Sequence, residues 1–144
     1  MMKLISRFAL LILVIAILYL LISGRLLSWS PFVIAGQLSA IALSIWARRS
    51  FQKGQFSIHA EPGEGPLLSV GPYRFIRHPM YAAAMLLVWA SILGHLSSIT
   101  IVVGLIITGA IAIRIVTEEQ FLRARYSDYA EYSRKSKRII PLII

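Results

Sequence analysis

The chain has 144 residues, 58% of them apolar, with a mean hydropathy of +0.75 and a formal charge of +9. So much apolar surface in so short a chain excludes an ordinary soluble domain. The absence of cysteine excludes disulfides, thiolate metal sites and cysteine nucleophiles.

Four apolar stretches follow one another, each about long enough to cross a bilayer once flanking residues are counted. The first, Phe8–Ser23, follows Lys3 and Arg7. No small-x-small cleavage site follows Leu21-Ile22-Ser23-Gly24, so it reads as a retained span rather than a signal peptide. A turn at Gly24–Ser30 leads to the second, Pro31–Ala47, which is the weakest. Gln37, Ser39 and Ser44 interrupt it, which leaves a tilted or partly re-entrant segment open, while Gly36, Ala40 and Ser44 form a small-residue stripe suited to close helix packing.

A connection of about thirty residues, Arg48–Arg77, comes next, rich in glycine and proline. Loops of that length are functional or disordered. Its end, Leu67-Leu68-Ser69-Val70-Gly71-Pro72-Tyr73, is apolar and stiffened by proline, which argues for packed structure. The third stretch, Pro79–Gly94, has His78 where an N-cap belongs and Pro79 where a first helical residue belongs, so a helix N-terminus able to receive an anionic group is expected there. The short turn His95–Ser98 makes the fourth, Ile99–Val116, its antiparallel neighbour. Beyond Glu119, the residues Leu122, Tyr126, Tyr129 and Tyr132 keep helical spacing among Arg123, Arg125, Arg134 and Lys135, the pattern of an interfacial helix with tyrosines at headgroup depth. Arg138–Ile144 then returns apolar surface toward the membrane or across the long loop.

The expected fold is therefore all-α: one integral membrane domain over residues 1–144, a bundle of about four transmembrane helices with a cytoplasmic loop and an interfacial C-terminal amphipathic helix. All lysines and arginines except Arg25 and Arg114 fall on one side of that topology, which places both termini in the cytoplasm by the positive-inside rule. The charge then reads as anchoring to anionic membrane lipids, with no role for nucleic acid.

Glu118 follows His78 by forty positions. Two crossings at about 1.5 Å per residue return the chain to the face it left. Arg77, His78 and Tyr81 thus come to the same depth as Arg114 and Glu118. His78 and Tyr81 share a helix face, as do Arg114 and Glu118, while Glu119 points about 100° away, off the ligand side. Each pair alone has a plain reading, an N-cap beside an interfacial tyrosine and a helix-end ion pair. Together, beneath a stiff loop, they suit a zwitterionic soluble cofactor meeting a lipophilic substrate. His59, His78 and His95 are scattered over loop, rim and outer turn, so no metal is expected, and no glycine-rich strand-to-helix motif supports a Rossmann domain.

The strings Gly71-Pro72-Tyr73-Arg74-Phe75-Ile76-Arg77-His78-Pro79-Met80-Tyr81, Arg114-Ile115-Val116-Thr117-Glu118-Glu119, Tyr126-Ser127-Asp128-Tyr129-Ala130-Glu131-Tyr132 and Arg138-Ile139-Ile140-Pro141 resemble the isoprenylcysteine carboxyl methyltransferase and phospholipid methyltransferase superfamily, over about Leu67–Pro141. The resemblance implies an integral membrane enzyme that uses S-adenosylmethionine. It further implies that Pro66, Leu67, Leu68 and Tyr73 line the cofactor, that His78, Pro79, Met80 and Tyr81 hold its other side, that Glu118 binds it, and that Arg114 faces the methyl acceptor. The acceptor would be an isoprenylcysteine-like carboxylate or a lipid amine. Ala83 and Ser127 stand where that superfamily usually has glycine, which is expected to tune packing only. NADPH-dependent sterol reductases share the Arg-His-Pro-x-Tyr string but are longer, and a non-enzymatic membrane scaffold is the third reading. The oligomeric state is open.

Overall fold

The four apolar runs become four long helices. The computed structural model describes residues 2–57, 62–63 and 65–140, so His59 and the final Pro141–Ile144 of the tail lie outside the described residues. Its helices are α1 (Met2–Ile22), α2 (Pro31–Arg49), α3 (Pro79–Gly94), α4 (Ser98–Arg125) and the short α5 (Tyr129–Lys135), with a 3-10 turn at Gly71–Arg74. Among the described residues there is no strand; Ile76 and Lys137 form one isolated parallel bridge.

Three helices, α1, α2 and α4, are long and apolar enough to cross a membrane. The 16 residues of α3 rise only about 24 Å at ~1.5 Å per residue. Even so, α3 reaches the α1–α2 hairpin, because His95 Nε2 donates to the Leu27 carbonyl and Gly94 packs on Ser28. Ser97 and Thr100 then form a capping box that starts α4. Large apolar side chains such as Phe8, Leu11, Phe32, Leu38, Leu105 and Ile113 face outward. Such a surface is costly in water and ordinary against hydrocarbon, and it makes the chain an all-helical integral membrane bundle.

The helices associate as two pairs: α2 packs chiefly on α3 and α1 chiefly on α4, and a smaller α3–α4 contact joins the pairs. The short turn between them thus makes α3 and α4 neighbours, but not each other's main partners. Small residues explain the choice. A Cβ on Gly36 would stand 3.0 Å from the Ala90 Cβ, and Ala40 is buried, so the stripe on α2 serves helix packing. The core joins Ala9, Leu13 and Leu20 of α1 to Val88 and Ile92 of α3 and Ile107, Ile111 and Ile115 of α4.

Gln37 shows how the weakest span becomes an unbroken helix. Its Nε2 donates to the Leu26 carbonyl at 2.6 Å and to Ser91 Oγ at 3.0 Å, and Ser91 Oγ donates to the Leu87 carbonyl at 2.8 Å. The buried amide is satisfied inside the bundle, so polarity in α2 does not force a re-entrant path. At the other end, α4 runs on to Arg125 and breaks at Tyr126, whose backbone is extended. The C-terminal amphipathic segment is therefore the last turn of α4 followed by α5. Its tyrosines turn inward: Tyr129 is fully buried, and the Tyr132 hydroxyl donates to the Tyr73 carbonyl at 2.8 Å.

Gly104 sits at the α3–α4 crossing, where a Cβ would come within 2.4 Å of Ile92 Cδ1, whereas a Cβ on Gly109 meets nothing within 4 Å. In detergent, Gly104→Val should lower unfolding free energy by about 1–3 kcal/mol through overpacking. Gly109→Ala should leave it unchanged or raise it by up to about 1 kcal/mol. Thermal unfolding of the two variants side by side measures both.

Candidate active site

The site lies at the end of the bundle where α3 begins and α4 ends. Gly71 opens the 3-10 turn with a φ of +59°, and a Cβ there would meet Ser50 Oγ at 2.3 Å, so glycine is required on both counts. The chain then runs beside the C-terminal tail. Arg77 N–H donates to the Lys137 carbonyl at 2.6 Å, His78 N–H to the Arg138 carbonyl at 3.0 Å, and Lys137 N–H to the Phe75 carbonyl at 2.9 Å. His78 is the N-cap residue of α3 and Pro79 follows it, although the imidazole itself does not cap the helix.

Glu119 organises this end. Its carboxylate accepts from Arg77 Nε at 3.0 Å, from Arg138 Nε and Nη2 at 3.3 and 3.2 Å, and from Arg123 Nη2 at 3.4 Å. His78 Nε2 lies 3.5 Å away. Arg77 also donates to the Ser133 carbonyl at 2.8 Å and to the Ser136 carbonyl. One buried carboxylate therefore ties the start of α3 to the end of α4 and to the tail. Charge-assisted bonds of this kind, shielded from water, are stronger than their exposed counterparts.

Glu118, the next residue, turns the other way into a cavity of about 230 Å³. Its side chain keeps 30% of its surface exposed, against 4% for Glu119. Glu118 Oε2 stands 3.9 Å from His78 Nδ1. On the same wall, Arg114 is buried and donates from Nε to the Tyr81 hydroxyl at 3.1 Å and from Nη1 to the Ser6 carbonyl at 3.1 Å. The rest of the lining is largely aromatic and apolar and includes Phe51, Phe56, Tyr73, Leu67 and Leu68. Phe51 meets Phe56 and Tyr73 edge-on at centroid distances of 5.2 and 5.6 Å, and the Arg48 guanidinium lies 4.3 Å from the Phe56 ring centroid.

The loop that roofs the cavity is pinned from two sides. Gln55 Nε2 donates to the Pro66 carbonyl at 2.8 Å, and from α4 the Tyr126 hydroxyl donates to the Gly65 carbonyl and Arg125 to the Pro62 carbonyl, both at 3.0 Å. Burial raises the Tyr73 phenol well above its ordinary value, with the Glu118 charge adding to the effect. Burial likewise pushes Tyr132 up to about 12.

Of the residues singled out from sequence, Pro66, Leu67, Leu68, Tyr73, His78, Met80, Tyr81, Arg114 and Glu118 all line this cavity; Pro79 does not. It is fully buried behind His78, where its ring shapes the helix start. Arg77 reaches the lining but commits its guanidinium to Glu119 and the tail. Phe51, Gln55, Leu122, Tyr126 and Tyr132 belong to the lining as well, and sequence reasoning did not place them there. Leu122 and Tyr126 continue the Arg114–Glu118 face at four-residue spacing, a signal that was legible; Phe51 and Gln55 carry no periodic signal.

Glu119→Ala, which leaves the buried Arg77 guanidinium without its acid, should cost about 3–5 kcal/mol of stability. Arg123→Ala, whose side chain is 60% exposed, should cost less than about 1 kcal/mol. Chemical denaturation in detergent separates the two. For Tyr132 the fold favours the neutral phenol, so its contribution to stability is intact below the ordinary tyrosine pKa of about 10 and is lost as pH climbs toward about 12. Tyr132→Phe should flatten that alkaline limb of the stability profile, read as melting temperature against pH.

Comparison with known proteins identifies a family. The model of the phospholipid methyltransferase family matches residues 29–129, which runs from just before α2 through α4 and into the start of α5. No curated protein and no solved structure matches the chain. The matched segment covers well over half of the molecule and supplies nearly every residue that lines the cavity, and on that ground the chain belongs to the phospholipid methyltransferase family.

Proposed function

We propose that this membrane methyltransferase takes its methyl group from S-adenosylmethionine bound in the cavity and delivers it to a lipophilic acceptor at the cytoplasmic face, with both termini on that side. The observation that carries the reading is the convergence of Glu118, His78, Tyr81 and Arg114 on one wall of a cavity whose remaining lining is largely aromatic and apolar. A carboxylate and tyrosine rings suit a ligand bearing an ammonium and a sulfonium, and Phe51, Phe56 and Tyr73 suit a flat heterocycle. His78, Met80, Tyr81, Glu118 and the Pro66–Leu68 segment would hold the cofactor, with Pro79 setting the helix start behind them.

When bound, the cofactor would supply an electrophilic methyl on a sulfonium, with the neutral thioether S-adenosylhomocysteine as its leaving group. The protein's share is positioning and exclusion of water. Gln55, Tyr126 and Arg125 hold the roof closed, and the Arg114–Tyr81 hydrogen bond fixes the wall. For the acceptor we favour a phospholipid amine, in line with the family's description. A carboxylate acceptor oriented by Arg114 is the second reading, because that guanidinium also lines the cavity.

Purified protein in detergent should melt at a higher temperature with S-adenosylhomocysteine, by an amount equivalent to about 2.7 kcal/mol at a hundredfold excess over Kd. NADPH should produce no such shift. Membranes given methyl-labelled S-adenosylmethionine should yield labelled lipid. A base-stable label identifies N-methylation and a base-labile one a methyl ester. Glu118→Gln and Tyr81→Phe should each lower labelling on the order of tenfold or more, a loss of about 1.4 kcal/mol per factor of ten. Unchanged labelling in both variants, or no labelling with wild type, would overturn the proposal.

A further inference from the structure

On the far side of the segment that walls the cavity lies a second hollow, of about 470 Å³. It runs between the C-terminal half of α2 and the first turns of α3, and its walls include Trp46, Phe75, Ile76, Met85, Leu86 and Trp89. No charged residue lines it. The Trp89 indole N–H is already given to Thr108 Oγ1 at 3.2 Å. The interior thus offers an occupant nothing but hydrocarbon contact. Trp46, Phe75 and Leu86 are exposed, so the hollow opens on the surface that faces lipid.

Its depth and its rim narrow the occupant further. From Ala82 to Trp89 along α3 the groove descends about 10 Å into the apolar part of the bundle. Its mouth lies at the end of the bundle where the basic residues gather. The Arg74 guanidinium sits 5.9 Å from the ring centroid of Phe75, and Arg49 and Lys137 are exposed on the two segments that border the mouth. Cations above a hydrocarbon slot complement one common molecule, a lipid with a negative headgroup and a long chain.

We infer that this groove is a binding site for an anionic bilayer phospholipid, with an acyl chain between α2 and α3 and the phosphate at Arg74. The occupant would touch the catalytic wall from behind. Pro72, Phe75 and Ile76 face the groove, while Tyr73, Arg77 and His78, interleaved with them, face the cavity. The lipid is separate from the methyl acceptor, because that wall stands between its chain and the cavity. The inference therefore goes beyond the proposed function and does not need it.

Two of the three tryptophans line the groove, which makes it directly observable. A Trp29→Phe protein is reconstituted in phosphatidylcholine vesicles, and phosphatidylglycerol carrying brominated acyl chains, a contact quencher of indole, is titrated in. We expect quenching that saturates at low mole fraction, with about tenfold preference over brominated phosphatidylcholine. Arg74→Gln, an exposed change, should remove the preference. Ala82→Phe should remove the saturable component by filling the groove, in protein whose helical circular dichroism is intact. Quenching that rises in proportion to mole fraction, equally for both headgroups and unaltered in Arg74→Gln, would overturn the site, including the case in which a protein segment covers the groove. If Ala82→Phe fails to fold, the headgroup comparison and Arg74→Gln still decide the matter.

Discussion

The carboxylate of Glu119 is the constraint on which the functional end of this molecule rests. The start of α3, the end of α4 and the tail meet there. A single acid shared among Arg77, Arg123 and Arg138, with His78 beside it, ties them together. The arrangement is economical in acids, since the whole chain holds only six. Two adjacent glutamates on α4 divide the labour: Glu119 holds structure together in the dry interior, and Glu118 faces the cavity. The direction of a helix, about 100° per residue, makes the division possible.

Apolar packing governs the rest of the bundle. The core threads α1, α3 and α4, while small residues bring α2 against α3. Two polar groups inside the bundle are paired across helices: Gln37 with Ser91 and the Leu26 carbonyl, and Arg114 with Ser6 and Tyr81. In hydrocarbon such groups find no water to replace a missing partner, so each pairing fixes how neighbouring helices meet.

Much of this was legible in the amino-acid sequence, for reasons that lie in particular residues. Helix existence followed from apolar runs, and the meeting of His78 with Glu118 followed from a spacing of two crossings. Glu119 does not line the cavity; what it turns toward was hidden, because Arg138 arrives only when the tail doubles back at Ser136 and pairs with residues 75–78. Phe51 and Gln55 were hidden for a similar reason, since loop residues close a roof through non-local contacts that no periodicity encodes. The break at Tyr126 also escaped a pattern that continues smoothly across it. Where Tyr126 leaves the helix, its hydroxyl donates to the Gly65 carbonyl.

The bond between Arg114 and the Ser6 carbonyl carries a consequence for what counts as the catalyst. Helix α1 precedes the stretch shared with the family, yet it contributes an acceptor to the very guanidinium that forms one wall of the cavity. The shared stretch is thus not a self-sufficient machine to which an anchor has been added. In this protein the leading helix is a stave of the barrel: lift it out and a buried cation faces oil with fewer oxygens around it. A segment outside the family match can in this way adjust the chemistry of the segment inside it.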